Sequence, residues 1–269
     1  MRLADLLFGK VELHKEEPSP QTVRKAQLVM LEIMEEIHRI CERHGLRYWI
    51  DSGTLLGAVR HKGFIPWDDD LDINMPIEDY YTFLEIAPVE LPEGMFLQTK
   101  KLEPAFDKYF AKVRSLKGRV LEERELRRLL QGRRIKYNTG IYVDIFPCIT
   151  IKEQEKNLHL TLIKGANRIR KALNVALFVD WLFTKVDAFL HEGWEREDLI
   201  VVRSCRFPEE SFAVPVKSIF PLRLYEFEGK KFWGPKDFDT YLRILYGNYM
   251  KLPPVNERHT HAYVLEVFE

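Results

Sequence analysis

Asp51-Ser-Gly-Thr-Leu-Leu-Gly-Ala-Val-Arg60, followed after a short loop by Trp67-Asp-Asp-Asp-Leu-Asp-Ile73, is the most informative stretch of this chain. Arg47 to Asp51 (RYWID) reads as a short strand, Ser52-Gly53 as a turn, and Thr54 to Arg60 as a short helix. Lys62-Gly63 and Pro66 mark a loop. Asp68 to Asn74 then alternates carboxylates with apolar residues, the pattern of a strand. Side chains on a strand alternate between faces, so Asp68, Asp70 and Asp72 would share one side while Leu71 and Ile73 face the core. Carboxylates so close repel unless a cation lies between them. A hard divalent ion ligated by oxygen answers this, Mg²⁺ first, with Mn²⁺ as its substitute. The plainer alternative is a solvated acidic loop. An EF-hand does not fit: counted from Asp68, the sixth position is Ile73 rather than Gly, and the twelfth is Asp79 rather than Glu.

A second carboxylate lies in Asn138-Thr-Gly-Ile-Tyr-Val-Asp-Ile-Phe-Pro147. Asp144 is a lone charge in an apolar strand and is costly to bury alone. Beside the Asp70 strand it would complete a carboxylate cluster able to bind metal or accept a proton. On an edge strand it would simply sit in water. Upstream, the strand–turn–helix at Asp51–Arg60 offers free backbone N–H groups to a phosphate, and Ser52 and Thr54 add hydroxyls. A phosphate cradle followed by metal carboxylates is what phosphoryl or nucleotidyl transfer requires. Arg60, Lys62, Lys112 and Arg114 are candidate phosphate partners, each with an alternative as a surface charge.

Further along, Met30, Ile33, Met34, Ile37, Ile40 and Cys41 recur at helical spacing, with Gly45 as the C-cap. Pro76 opens another helix, with Tyr80, Phe83 and Leu84 on one face. Met95 to Thr99, Tyr109 to Arg114 and Ile141 to Phe146 read as strands, the last closed by Pro147. Lys112 to Lys136 holds ten basic and three acidic residues, a charge that reads in part as a solvated helix and also suits an anionic membrane or a phosphate-rich substrate. Lys152 to His191 reads as a long helical region broken near Gly165. A hairpin is expected around Gly229, with arms Leu224 to Phe227 and Lys231 to Trp233, then a helix from Asp237 to Leu245. Arg258, His259 and His261 follow in the C-terminal stretch. Arg258 and His261 could reach substrate phosphate, or the stretch could be a strap packed on the core.

This order predicts an α/β or α+β core with a helical C-terminal part. The 269 residues carry 41 Lys plus Arg against 41 Asp plus Glu, so formal net charge is zero, which weighs against nucleic acid as a partner. The three cysteines, Cys41, Cys148 and Cys205, form no C-x-x-C pair, which fits a reducing compartment. The longest apolar stretch, Val175 to Phe183, is broken by Asp180 and falls short of the roughly 18 residues that span a bilayer. Peripheral membrane contact stays open. The N-terminus lacks the apolar run of a signal peptide, so a cytoplasmic protein is expected, working at the inner face of the membrane.

Asp51 to Ile73 resembles the signature of the LicD family. Gly140 to Pro147 resembles its next block, and Tyr246-Gly-Asn-Tyr-Met-Lys-Leu-Pro-Pro254 with Arg258 and His261 its C-terminal block. The resemblance implies a nucleotidyltransferase core of the polymerase-β type, in an α+β protein with a leader over 1–24, a mixed-sheet catalytic core over 25–150 and a helical, substrate-binding part over 151–269. Ser52, Gly53 and Thr54 then fall on the phosphate-binding turn, Asp70 and Asp72 on the metal-binding D-x-D pair with Asp68 added, and Asp144 on the third carboxylate. It further implies transfer of phosphocholine from CDP-choline to a sugar of a lipid-linked teichoic acid precursor or of lipopolysaccharide, with release of CMP. Asp144 or Asp72 is then the candidate base. The choline head has no N–H donors and needs an aromatic surface, for which Trp49, Trp67, Tyr80, Tyr81 and Trp233 are candidates. Three readings compete with this: transfer of another CDP-linked alcohol such as ribitol phosphate, as in fukutin-type relatives; a nucleotidyltransferase that releases pyrophosphate; and a non-catalytic, cation-bound module that binds a cell-envelope partner.

Overall fold

The computed structural model describes residues 15–106, 108, 110–159, 161–162, 185–196, 198–203 and 213–268. The first helix, α1 (Pro20–His44), starts where Ser19 accepts a hydrogen bond from the Thr22 amide at 3.1 Å, with proline in its first turn. It ends at Gly45, whose φ of 65° is the left-handed C-cap conformation that glycine adopts without strain. Met30, Ile33, Met34, Ile37, Ile40 and Cys41 are all buried, as their spacing predicts.

Seven strands form one mixed sheet in the order β1 (Trp49–Ile50), β2 (Asp72–Pro76), β6 (Ile141–Ile151), β4 (Ala111–Ser115) and β3 (Met95–Gln98), with β7 (Ile200–Arg203) pairing β6 and β8 (Val214–Pro215) pairing β7. β2 and β6 run parallel and the other pairs antiparallel. With α1 and the other helices packed on it, the molecule is α+β, as expected.

β6 is the spine of the sheet, buried along its whole length. The sequence suggests that Pro147 closes it, but the strand runs on to Ile151. The pairing explains this. Register with β4 reaches only Ile145, and register with β7 starts at Cys148. Pro147 therefore falls where β6 changes neighbours on that side, a point where a missing N–H costs little.

The strand expected over Tyr109 to Arg114 is β4, with Tyr109 itself outside the described residues. The hairpin is present as β9 (Arg223–Phe227) and β10 (Lys230–Gly234), turning through Glu228 and Gly229, both at positive φ. Helix α2 (Ser52–His61) follows β1, and α3 (Ile77–Glu90) follows β2. α4 (Glu123–Leu130) and α5 (Val216–Ile219) are short, and α6 (Phe238–Tyr246) is capped by Asp237. Most of the helix expected over Lys152 to His191, Gly165 included, lies outside the described residues, as does Cys205. Within 151–269 the described residues contain more strand than expected. Besides β7 to β10, β11 (Val264–Val267) pairs with β5 (Gly118–Leu121), a strand that Gly118 and Arg119 disguise in the sequence.

Candidate active site

Asp72 opens β2 and stands in register with Asp144 of β6, which in turn stands opposite Lys112 of β4. Three neighbouring strands thus set two carboxylates and an ammonium side by side. Two local bonds hold the arrangement: the Asp144 amide donates to the Leu71 carbonyl at 2.8 Å, and the Asp72 amide to the Thr54 hydroxyl at 2.9 Å. The Thr54 hydroxyl, expected to meet phosphate, is therefore engaged with the backbone of the carboxylate strand.

Asp68 and Asp70 do not lie on a strand, contrary to the alternation read from the sequence. They belong to the irregular segment that precedes β2. They nevertheless line the same cavity as Asp72 and Asp144, a space of about 1170 Å³. Ser52 and Gly53 line it too. Ser52 takes a φ of 47°, an uncommon conformation for a residue with a side chain. Gly53 packs closely on Asp68: a Cβ there would come within 2.6 Å of Asp68 Oδ2, so that carboxylate would have to shift.

The carboxylates are electrostatically crowded. Burial, and then the charge of Asp70, hold the Asp68 carboxyl well above its ordinary range. Burial, then Asp70 and Asp144, do the same to Asp72. Burial also raises Asp144, against the pull of Lys112. Asp70 goes the other way: burial would raise it, but the hydrogen bond and charge of His261 lower it. His261 Nδ1 lies 2.9 Å from Asp70 Oδ2, and this bond lifts the imidazole to about 9. Asp144 Oδ1 is buried and accepts no hydrogen bond of good geometry among the described residues. A crowded, under-satisfied set of oxygen donors fits a hard divalent cation. Donor atoms of Asp68, Asp69 and His261 also lie within 4.8 Å of one another. Asp69, however, already accepts the backbone N–H groups of His261 and Ala262, at 2.6 and 2.7 Å. Asp68, Asp70, Asp72 and Asp144 are therefore the better candidate ligand set, and Asp69 is the anchor of the C-terminal strap.

The expected cations separate by place. Lys112 is fully buried, with Nζ 2.8 Å from Asp144 Oδ1 and 3.2 Å from the centre of the Tyr142 ring. Arg114 is buried and does not line the cavity; it donates to the Gln98 side chain and the Gly140 carbonyl. Arg60 donates to the Tyr249 carbonyl at 3.0 Å and lines a second cavity of about 530 Å³. Both cavities share Leu56, Ile65, Trp67, Tyr246 and Glu257. Arg258 lies over the Trp67 ring at 4.8 Å and donates to the Pro253 carbonyl.

Of the aromatic candidates, Trp67 alone lines the cavities. Trp49 is core, its indole N–H donating to the Tyr241 hydroxyl at 3.0 Å. Tyr80 is buried, and Tyr81 sits beside it on α3. Trp233 bonds Glu42 on the outside of α1. Trp49, Tyr80, Tyr81 and Trp233 therefore lie outside the cavities that Trp67 lines.

Sequence reasoning missed Arg203. It lines the large cavity, stacks on Phe146 at 3.9 Å and bonds the wholly buried Asp51 at 2.7 Å. Tyr241 donates to the other Asp51 oxygen at 2.6 Å. The signal was available: Arg203 is a lone charge closing an apolar strand, as Asp144 is within one. Tyr246 and the α4 residues Arg124, Arg127 and Arg128 also line the cavity.

The LicD/FKTN/FKRP nucleotidyltransferase domain family matches residues 45–171. Across most of its length the chain is similar to the lipopolysaccharide cholinephosphotransferase LicD of Haemophilus influenzae, 27% identical over 274 aligned positions that cover 91% of this chain and 98% of that protein. A shorter segment is similar to the ribitol 5-phosphate transferase FKRP of mouse and human, 50% identical over 40 residues, which is 15% of this chain and 8% of theirs. An uncharacterized protein of Rickettsia typhi is 48% identical over 64 residues, 24% of this chain and 21% of that one. The block of carboxylates and the spine strand both lie inside residues 45–171, the part of the chain that is similar to the LicD/FKTN/FKRP nucleotidyltransferase domain.

Proposed function

We propose that this protein transfers phosphocholine from CDP-choline to a hydroxyl of a cell-envelope sugar, in a lipopolysaccharide or a lipid-linked teichoic acid precursor, releasing CMP. The observation that carries the reading is the meeting of Asp68, Asp70, Asp72 and Asp144 in one large cavity that Arg203, Arg124, Arg127 and Arg128 also line. The long alignment with a cholinephosphotransferase supports the choice of group transferred. The cavity, at about 1170 Å³, exceeds the roughly 300–1,000 Å³ of a usual small-molecule pocket and has room for donor and acceptor together.

The four aspartates are the proposed Mg²⁺ ligands, with Mn²⁺ as a substitute. When bound, the ion supplies positive charge against the diphosphate and the departing phosphate of CMP. Arg203 and the α4 arginines hold phosphate oxygens by charge-assisted hydrogen bonds. Ser52 and Gly53, at the start of α2, present backbone N–H groups to the same oxygens. The acceptor oxygen forms a bond to the phosphocholine phosphorus as the bond from that phosphorus to the CMP oxygen breaks. Its proton passes to a carboxylate. Asp72 is the better base, because the ammonium of Lys112 reduces the proton affinity of Asp144. Trp67, with Tyr246 near it in both cavities, offers the aromatic face for the trimethylammonium head. Arg258 now covers that ring and is the cation choline would displace.

The test is CMP release by purified protein with CDP-choline, Mg²⁺ and a lipid-linked acceptor, run beside Asp70→Asn. Acceptor-dependent CMP that vanishes in the variant is the expected result. Turnover with CDP-ribitol instead would keep the site and change the donor, the reading favoured by the short match to FKRP. Silence with every donor, with the variant functional in cells, would leave a binding module.

A further inference from the structure

We propose that the ammonium of Lys112 occupies the place of a second metal ion, so that this carboxylate cluster takes one divalent cation per chain rather than two. The inference rests on the metal reading above. Two-metal sites hold their ions about 3.5–4 Å apart, so a second ion would have to lie that close to the first, among the same carboxylates.

Here two of the four carboxylates are already part-committed to cationic side chains. Lys112 donates to Asp144 Oδ2 at 3.1 Å while lying 2.8 Å from Oδ1. His261 holds Asp70 Oδ2 at 2.9 Å. The ammonium is not a mobile surface charge. It is enclosed by the Tyr142 ring, the Phe110 ring at 5.5 Å and the Glu122 carboxylate at 3.7 Å. Its position follows from strand register, since Lys112 stands opposite Asp144 across β4 and β6. It therefore cannot yield its place to an ion without unpairing a buried charge.

Lys112 is thus a positioning residue: it contacts both oxygens of Asp144 and fixes that carboxylate beside Asp72.

The experiment is Mn²⁺ binding to the full chain, followed by loss of the free-ion electron paramagnetic resonance signal and by calorimetry, with Lys112→Gln and Lys112→Arg alongside. The expected result is one Mn²⁺ per chain in the wild type and in Lys112→Arg. In Lys112→Gln it is two, with the spectral broadening of a coupled ion pair. Two ions in the wild type would overturn the proposal while leaving the metal reading intact. So would one ion in a Lys112→Gln variant with native circular dichroism. If Lys112→Gln does not fold, the wild-type count decides by itself. No bound Mn²⁺ in any form would overturn the metal reading and this inference with it.

Discussion

Asp72 and Asp144 are direct register partners across the parallel pairing of β2 and β6. Two like charges are therefore fixed by the backbone itself, and no rotation of either side chain can carry them far apart. Their repulsion is a standing cost in the metal-free protein. Asp72→Asn should raise the midpoint of thermal unfolding in excess EDTA, by a few degrees on the scale of about 1 kcal/mol. The same variant should lose on the order of 10²-fold or more in CMP release. Calorimetry of wild type and variant, with and without chelator, checks the first, and initial rates check the second.

Added Mg²⁺ should stabilise the wild type against urea. At a hundred times its dissociation constant the gain is about 2.7 kcal/mol. Asp70→Asn should show little of it. Equal gains in both proteins would remove Asp70 from the ion's environment.

Arg203 and Asp51 form a buried pair, and removing one partner strands the other. Arg203→Met should destabilise by about 3–5 kcal/mol. Adding Asp51→Asn should recover part of that loss, because the stranded charge is gone. A double-mutant cycle from urea midpoints measures the coupling.

Trp67→Ala should weaken CDP-choline binding by about 1–2 kcal/mol, close to tenfold. CDP-ethanolamine, whose head can donate hydrogen bonds, should lose less. Equal losses for both donors would take Trp67 out of head-group recognition.

Glu78, in the first turn of α3, meets His191 at 2.7 Å and Trp194 at 3.0 Å. Burial alone would raise its carboxyl, but these bonds pull it down from 4.5 to about 2. A depressed carboxyl contributes stability that is complete above the unfolded value and lost as pH falls through the folded one. Glu78→Gln should lower the unfolding midpoint above pH 4.5, where that stability is complete, and converge on the wild type as pH falls toward 2, so that its own decline across this window is flatter. A parallel decline in wild type and variant would contradict this. Because the Glu78 side chain is half exposed, the effect should shrink in high salt.

The carboxylate block was legible because carboxylates repel, whatever backbone carries them. That is why Asp68 and Asp70 were correctly grouped although the strand supposed to align them starts only at Asp72. Helix α1 and the β9–β10 hairpin were legible from periodicity and turn chemistry, which are local. Arg114 and Trp49 were misread because residue type does not say which face of a sheet or helix a side chain leaves. Strand β11 and its partner β5 escaped notice because their pairing joins segments far apart in sequence. The Asp51–Arg203 pair is equally long-range: each charge is puzzling alone, and only the fold matches them.

The strap around His261 carries a consequence for how the chain can be handled. Asp69 is held by the amides of His261 and Ala262, and those amides come from a segment fastened by β11 to β5. The wall beside the aspartates is thus a clasp closed by residues translated long after the aspartates themselves. A nascent chain or a proteolytic fragment ending before residue 261 would carry all four clustered aspartates and still lack this wall of the cavity. Cutting, tagging or crowding that end of the molecule amounts to editing the catalytic pocket.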